Sequence, residues 1–434
     1  MTMLAANGFG VAGFARLDES NPVWTSWDYG WWQGLSHHFN HPAWESIHGL
    51  MGVSFWDLIQ PSFMFMVGVA MPFSYARREK KGNSNFQRHV HAILRAIILV
   101  LMGVFLYSLK VSQTNWIFTN VLAQIGLGYY FAYLLLGRSR RIQIAAFVVI
   151  LVGYWAFFKL HPPAENYDFA AVEASVENEE VYLGAYLPWS KNGNAAHFAD
   201  VWLLNQLRSP ADDFVVADAG IPEGDADTDA EQDKQPAASQ SVLRRWWFSS
   251  PERFEFNKGG YQTLNFIPSI ATTLLGIMCG QLLLVPVSHR DKLMTLLLSA
   301  VACVALGVFA HHTVCPIVKK IWTPSWVLFS GGYTIGLLAL FYVLFDVLPF
   351  KKMAFPLVVI GMNSMVIYLM GQMLRPWVTE QVVQTHFGAV LTSMFGKGAR
   401  SPTDIGALVL PTATFLVFWL VAYWMYARKY FVRV

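Results

Sequence analysis

The sequence predicts an all-α fold: a polytopic transmembrane bundle of about ten helices, the first of them truncated, with one long acidic external loop. Three observations predict it. Of 434 residues, 55% are hydrophobic and only 14% charged, against about 25% charged in ordinary soluble chains. The mean hydropathy is +0.38. Nine apolar runs are each close to the roughly 20 residues that cross a bilayer core, and basic residues collect between them in a regular order. This composition excludes a disordered chain, a disulfide-built secreted module and an ordinary cytosolic enzyme. The net charge of +3 is too small to argue for nucleic acid. Three cysteines cannot build a framework, and Cys279, Cys303 and Cys315 read as free thiols.

In chain order the spans fall at 55–75, 91–110, 118–136, 142–158, 264–287, 293–312, 325–346, 354–374 and 408–427. Each is too long for a strand and too uniformly apolar for a solvated helix. Residues 1–16 read as the second half of a further span that begins in mid-helix, the mark of a miscalled start or a fragment. They lack a basic leader and a cleavage site, so they do not read as a signal peptide. Basic clusters at 77–81, 138–141, 289–292, 351–352 and 428–433 fall on one face when spans are counted back from the C-terminus. Lys and Arg gather on the cytoplasmic side. Both termini are therefore expected in the cytoplasm of a cell with the chain in its inner membrane. Segments 17–54, 111–117, 159–263, 313–324 and 375–407 are expected outside. Lys319 and Lys320 break that rule.

Three regions follow: an N-terminal membrane bundle over 1–158, an external insert over 159–263 and a C-terminal membrane bundle over 264–434. Within the insert, residues 211–240 are acidic and rich in Ala, Gly and Pro, with too little apolar content to bury a core. Such a loop either collects cations or substrate, or is a tolerated surface insertion. Its flanks carry Tyr182, Trp189, Trp202, Trp246, Trp247 and Phe248, suited to pack on the outer mouth of the bundle.

Candidate chemistry gathers on the outer side. Segment 17–54 is dense in Trp, Tyr and His. An interfacial aromatic belt accounts for the aromatic residues but less well for His37, His38, His41 and His48. The first three have helical spacing, but no Cys and few carboxylates accompany them, so no metal is expected. A histidine beside a helix entering the membrane suits a general base, because its unperturbed pKa is near neutral. Polar groups inside apolar spans are expensive and mark a site by default, or else bond between helices. Asp57 and Gln60 open one span, Asn120 and Gln124 lie a turn apart in another, Asn265 and Ser269 open a third, and Asn363 and Ser364 sit mid-span in a fourth. Arg95, one turn into its span, has the length to snorkel. Asp57 suits orienting a histidine or binding an amine, and equally suits a helix N-terminus. Lys319 and Lys320 are either interface anchors or cations for a phosphate-rich ligand.

Four stretches carry a family likeness: HPAW with FWDLIQPSFMFMVGVAMPFS (41–44 and 55–74), LNFIPSIATTLLGIMCG (264–280), KKIWTPSWVLFSGG (319–332, including Trp322) and GMNSMVIYL (361–369). With the span spacing, the sequence resembles the heparan-α-glucosaminide N-acetyltransferase family and its bacterial relatives over nearly all its length outside the acidic loop. The resemblance implies a transmembrane N-acetyltransferase, which moves an acetyl group from cytosolic acetyl-CoA to an amino sugar or related glycan on the other side of the membrane. It implies that His41, of H-x-x-W, is the active histidine and that Asn7 is the family's asparagine at the outer end of the first span. The chain departs from the family in its start and in a longer spacing from His41 to Asp57, through ESIHGLMG (45–52), which makes His48 a rival.

Acetyl transfer needs an amine freed of its proton, a polarised carbonyl and held phosphates. His41 suits base or acyl carrier, Asn7 and Asp57 complete the expected catalytic set, and Gln60, Lys319, Lys320, Trp322, Asn363 and Ser364 are the expected substrate contacts. The partners expected are membrane lipid, acetyl-CoA, a glycan acceptor and, as a candidate, a second copy in a homodimer, with no nucleic acid. The competing class is a secondary transporter of a sugar-like or lipid-linked solute, but no matching inverted halves are legible. A membrane anchor for a partner complex is a third class.

Overall fold

A computed structural model describes residues 6–42, 44–109, 111, 113–208 and 253–432. The acidic stretch 211–240 and Trp246, Trp247 and Phe248 lie outside the described residues. Among the described residues the regular elements are helical, with one isolated antiparallel bridge between His48 and Gly52. The chain is a polytopic helical bundle, as its composition predicts. Among the described residues, seven helices are long and apolar enough to cross a membrane, or eight if a bent pair is one span.

After a short helix at Val11–Ala15, the elements are α1 (Tyr29–Ser36), α2 (Phe55–Lys80), α3 (Asn85–Ser108), α4 (Val121–Leu136), α5 (Arg140–Leu160), α6 (Ala195–Gln206), α7 (Phe266–Leu284), α8 (His289–Thr313), α9 (Pro324–Tyr342), α10 (Phe355–Met362), α11 (Ser364–Met373) and α12 (Gly406–Ala427). The sequence writes most of their starts. Ser54 accepts from the Trp56 N–H, Asn120 from Leu122 and Thr323 from Trp326, with Pro324 in the first turn. Ser84 and Gln87 form a reciprocal capping box. Each cap satisfies amides the helix leaves unpaired.

Helices α2 and α7 form the inner pair. A Cβ on Gly68 would stand 2.0 Å from the Thr273 carbonyl oxygen, and one on Gly276 2.0 Å from that of Phe65. Gly280 repeats the contact at Val69, one turn on. Small residues four apart let backbones meet where lipid supplies no hydrophobic drive between helices. Trp322, Trp326 and Phe329 fill the core beside this pair.

Two spans differ from expectation. The one expected at 118–136 is a shorter helix of 16 residues, because Asn120 caps it late. The one expected at 354–374 is broken by 65° between α10 and α11. At the break, Asn363 donates to the Tyr430 carbonyl (3.1 Å) and accepts from the Val432 N–H (3.1 Å). The bend thus satisfies backbone of the C-terminal tail. Part of the expected outer connection 375–407 is also helical, at 375–395.

The described flanks of the insert form a cap over one end of the bundle. Trp189 is fully buried and stacks on Phe158 at 4.6 Å, while Trp202 is exposed. The Tyr182 hydroxyl donates to Glu45 (2.8 Å), and Asp200 on α6 accepts from the Thr263 N–H (2.8 Å) just ahead of α7.

Candidate active site

The loop from Asn40 to Ser54 carries His41 and is tied down at several points. Ser54 Oγ donates to the Asn40 carbonyl (2.8 Å). The Ser46 N–H donates to the Ile317 carbonyl (2.8 Å), and the Lys319 N–H donates to Ser46 Oγ (3.1 Å). Trp44, fully buried, donates its indole N–H to the Trp189 carbonyl (3.0 Å). The loop at 314–323 is therefore stitched to the histidine loop from nearly 280 residues away.

Asp57 lies in the first turn of α2 and is 2% exposed. Its Oδ1 is 2.8 Å from His41 Nδ1 and 3.1 Å from Lys319 Nζ. Trp56 donates its indole N–H to His41 Nε2 at 3.0 Å. An indole nitrogen only donates, so Nε2 holds the lone pair and the imidazole proton sits on Nδ1, directed at Asp57. Lys319 Nζ lies 3.4 Å from the same Nδ1. Two donors do not bond, so that approach is purely electrostatic. Burial, with Lys319 nearby, outweighs the Asp57 hydrogen bond and holds the His41 pKa below its ordinary value. Burial works against the Lys319 charge, but Tyr261 and Asp57 overcome it and raise the lysine's pKa. At neutral pH the cluster is a carboxylate, an ammonium and a neutral imidazole. The His41 side chain remains 44% exposed, so it is reachable.

It is reachable from a cavity of about 440 Å³ lined in part by Gln60, Tyr107, Asn120, Tyr261, Lys319 and Gln372. Amides and aromatic rings in this mixture suit a polar, hydroxyl-rich ligand. A second cavity, of about 540 Å³, opens at the other end of α2 among Arg77, Arg78, Lys81, His91, Arg95 and Ser364. Arg78 and Arg95 each bury an Nε with no hydrogen-bond partner, which fits an anionic group. The two cavities share helix faces. On α2, residues 56, 59, 60 and 63 line the first and 70, 73, 74 and 77 the second; on α11, 368 and 372 line the first and 364 and 365 the second. Gln60 to Arg77 spans roughly 25 Å at 1.5 Å per residue, close to the thickness of a bilayer core.

The structure brings His41, Asp57, Gln60 and Lys319 together. It places the other expected residues elsewhere. Asn7 is exposed, in a turn at Asn7–Gly10, and is not among the described lining residues. Its neighbour Gly8 packs on Phe39 and Trp56. His48 is exposed and its ring lies on His37, with centroids 4.4 Å apart. Lys320 places its ammonium over Trp44, 5.7 Å from the ring centre. Trp322 is buried and donates to Thr272 (3.2 Å). Asn363 binds the C-terminal tail, and Ser364 lines the basic cavity. No group of three His, Cys, Asp or Glu side chains arranged to hold a metal is found among the described residues. The residues that sequence reading passed over are Trp56, Tyr107, Tyr261 and Gln372. Trp56 stood within the FWDL stretch; nothing local marks Tyr261.

Fold and site together define a class: a multi-pass helical membrane protein with a His–Asp pair at a cavity of mixed polar and apolar lining. Residues 26–189 match the family model described as heparan-alpha-glucosaminide N-acetyltransferase, catalytic. The match supports the resemblance read from the sequence and, in general terms, a membrane acetyltransferase. It covers His41, Trp56, Asp57, Gln60 and Asn120, and ends before Tyr261 and Lys319. No curated protein matches the chain.

Proposed function

We propose that this protein moves an acetyl group from cytosolic acetyl-CoA to the amine of an amino sugar or related envelope glycan on the outer face of the cell's inner membrane. The observation that carries the reading is the His41 Nδ1–Asp57 contact of 2.8 Å on a histidine that lines the cavity. Asp57 fixes the tautomer and steadies positive charge on the ring. His41 Nε2 takes the acceptor proton once Trp56 yields its hydrogen bond. Gln60, Asn120 and Gln372 hold the sugar.

Acetyl-CoA supplies the thioester, and the basic cavity has the chemistry to hold its phosphates. Arg77, Arg78, Lys81 and Arg95 meet that need on the face where basic clusters gather. The shared faces of α2 and α11 offer a route for the acyl arm towards His41. On this reading 1–158 and 264–434 form two membrane bundles around the route, 159–263 is a periplasmic cap and loop, and both termini are cytoplasmic.

The test is thioester consumption by purified protein with a panel of amino sugars. Wild type should turn over, and His41→Ala should lose on the order of 10²–10⁴ in rate while still binding CoA. Labelled acetyl retained on wild type without acceptor, and absent from His41→Ala, would assign His41 as acyl carrier instead of base. Normal turnover by His41→Ala with a dead His48→Ala would transfer the role to His48. Indifference to both changes would remove the acetyltransferase reading in favour of transport.

A further inference from the structure

We propose that Tyr261 is a catalytic residue: its hydroxyl, polarised by Lys319, donates a hydrogen bond to the acetyl carbonyl oxygen as negative charge develops there. The inference rests on acetyl transfer at His41.

Tyr261 is delivered to the site by the far end of the outer insert. The turn before it is closed by the Gly260 N–H donating to the Asn257 carbonyl (2.8 Å), and the Tyr261 N–H donates to Asn257 Oδ1 (3.3 Å). Gly260 has φ +75°, and a Cβ there would meet the Trp44 ring at 2.5 Å. The turn therefore lies flat on the tryptophan of the H-x-x-W segment. That packing places the Tyr261 ring 6.5 Å from the His41 ring, centre to centre, and both line the same cavity.

The hydrogen-bond directions decide what the hydroxyl offers. Lys319 donates to Asp57 (3.1 Å) and, lining the same cavity as Tyr261, acts electrostatically on its hydroxyl. An ammonium only donates, so towards Lys319 the tyrosine oxygen can act only as an acceptor. The phenol proton is left over and free to turn into the cavity. Burial raises the phenol's pKa and keeps the proton on it, while the Lys319 charge works the other way and polarises the O–H. A buried lysine, 3% exposed, is costly to keep, and this arrangement gives it a purpose that a phosphate contact does not. The resemblance assigns an outer-face asparagine to the site, but Asn7 is exposed and is not among the described lining residues. The donor role falls to the group that faces the histidine.

In the step itself, the acceptor nitrogen forms a bond to the thioester carbonyl carbon. The carbonyl π pair moves onto oxygen, where Tyr261 meets it, and His41 Nε2 receives the amine proton. When the carbonyl re-forms, the carbon–sulfur bond breaks. Sulfur leaves with its electron pair and takes the proton back from His41.

Tyr261→Phe removes only the hydroxyl. It should lower kcat about 10²–10³-fold, the usual loss for one such donor, with KM for acetyl-CoA and for the sugar within about threefold and unchanged thermal unfolding. Fluorotyrosines installed at 261 keep the ring's shape, so they serve even where Phe misfolds. Their kcat should rise with phenol acidity until the hydroxyl ionises. Turnover of Tyr261→Phe within threefold of wild type, or a flat response to fluorination, overturns the assignment while His41→Ala stays inactive. An active His41→Ala overturns the underlying acetyl-transfer reading instead.

Discussion

At the scale of single residues, the site is an exercise in keeping an imidazole neutral. Asp57 alone would raise the basicity of His41, because a carboxylate at 2.8 Å favours the imidazolium. Burial and Lys319 pull the other way and win. The proposed base is active only when Nε2 is unprotonated. Activity should therefore be fully present above the ordinary histidine pKa and fall only as pH drops through the lowered value, so the acid limb of kcat/KM lies below 6.5. Lys319→Met should move that limb to higher pH, because Asp57 is then free to favour the imidazolium. A pH–rate profile of both proteins checks this, and an unmoved limb would show that Lys319 does not act on His41. The sequence shows why His41 and Asp57 could be singled out: both flank the start of one span, 16 residues apart. Lys319 was also legible, as a cation on the wrong face, but its partner was not. Its charge is taken up by a carboxylate 262 residues earlier in the chain.

At the scale of elements, the site depends on how tightly α2 is held, since Trp56, Asp57 and Gln60 all ride on its first turns. The glycine contacts with α7 fix that helix. Gly276→Leu would drive a side chain into the Phe65 backbone, and neither backbone can give way without parting the helices. The variant should lose folded, monodisperse protein in detergent, and what remains should lose activity. Gly153→Ala on α5 is the control, because a Cβ there meets nothing within 4 Å. Its thermal unfolding should match wild type or rise slightly, since alanine favours the helix. Thermal unfolding of the two variants decides it, and equal stability would mean the α2–α7 contact is not a tight one. The small residues of GIMCG (276–280) are plain in the sequence. Which helix they approach is not, because any neighbouring span offers an apolar face.

At the scale of the whole molecule, the proposed mechanism needs the His41 cavity and the basic cavity on opposite sides of the membrane. Cysteine at Glu165→Cys should react with an impermeant maleimide added outside intact cells, and at Ser139→Cys only after permeabilisation. Both positions are exposed in the fold, and the native Cys279 and Cys315 are buried. The reverse pattern would put His41 on the cytoplasmic side and remove the cross-membrane route.

What the sequence determined by itself was the solvent and the scaffold. Low charge and long apolar runs leave the backbone no choice but helices across a bilayer, because unpaired amides are too costly there. Caps such as Ser54, Ser84 and Thr323 are local, so the helix starts were legible too. Asn363 stood out as a polar residue within a span, but not what it holds there, because its partner is a tail that returns from the end of α12. Nor was the site's second half legible. Tyr261 reaches His41 only because a glycine turn rests on Trp44, and Lys319 only because Ser46 and Ile317 join two loops. Such contacts between distant segments leave no periodicity and no spacing in the chain. They are settled when helices pack and loops close over them, and the tertiary structure alone decided them.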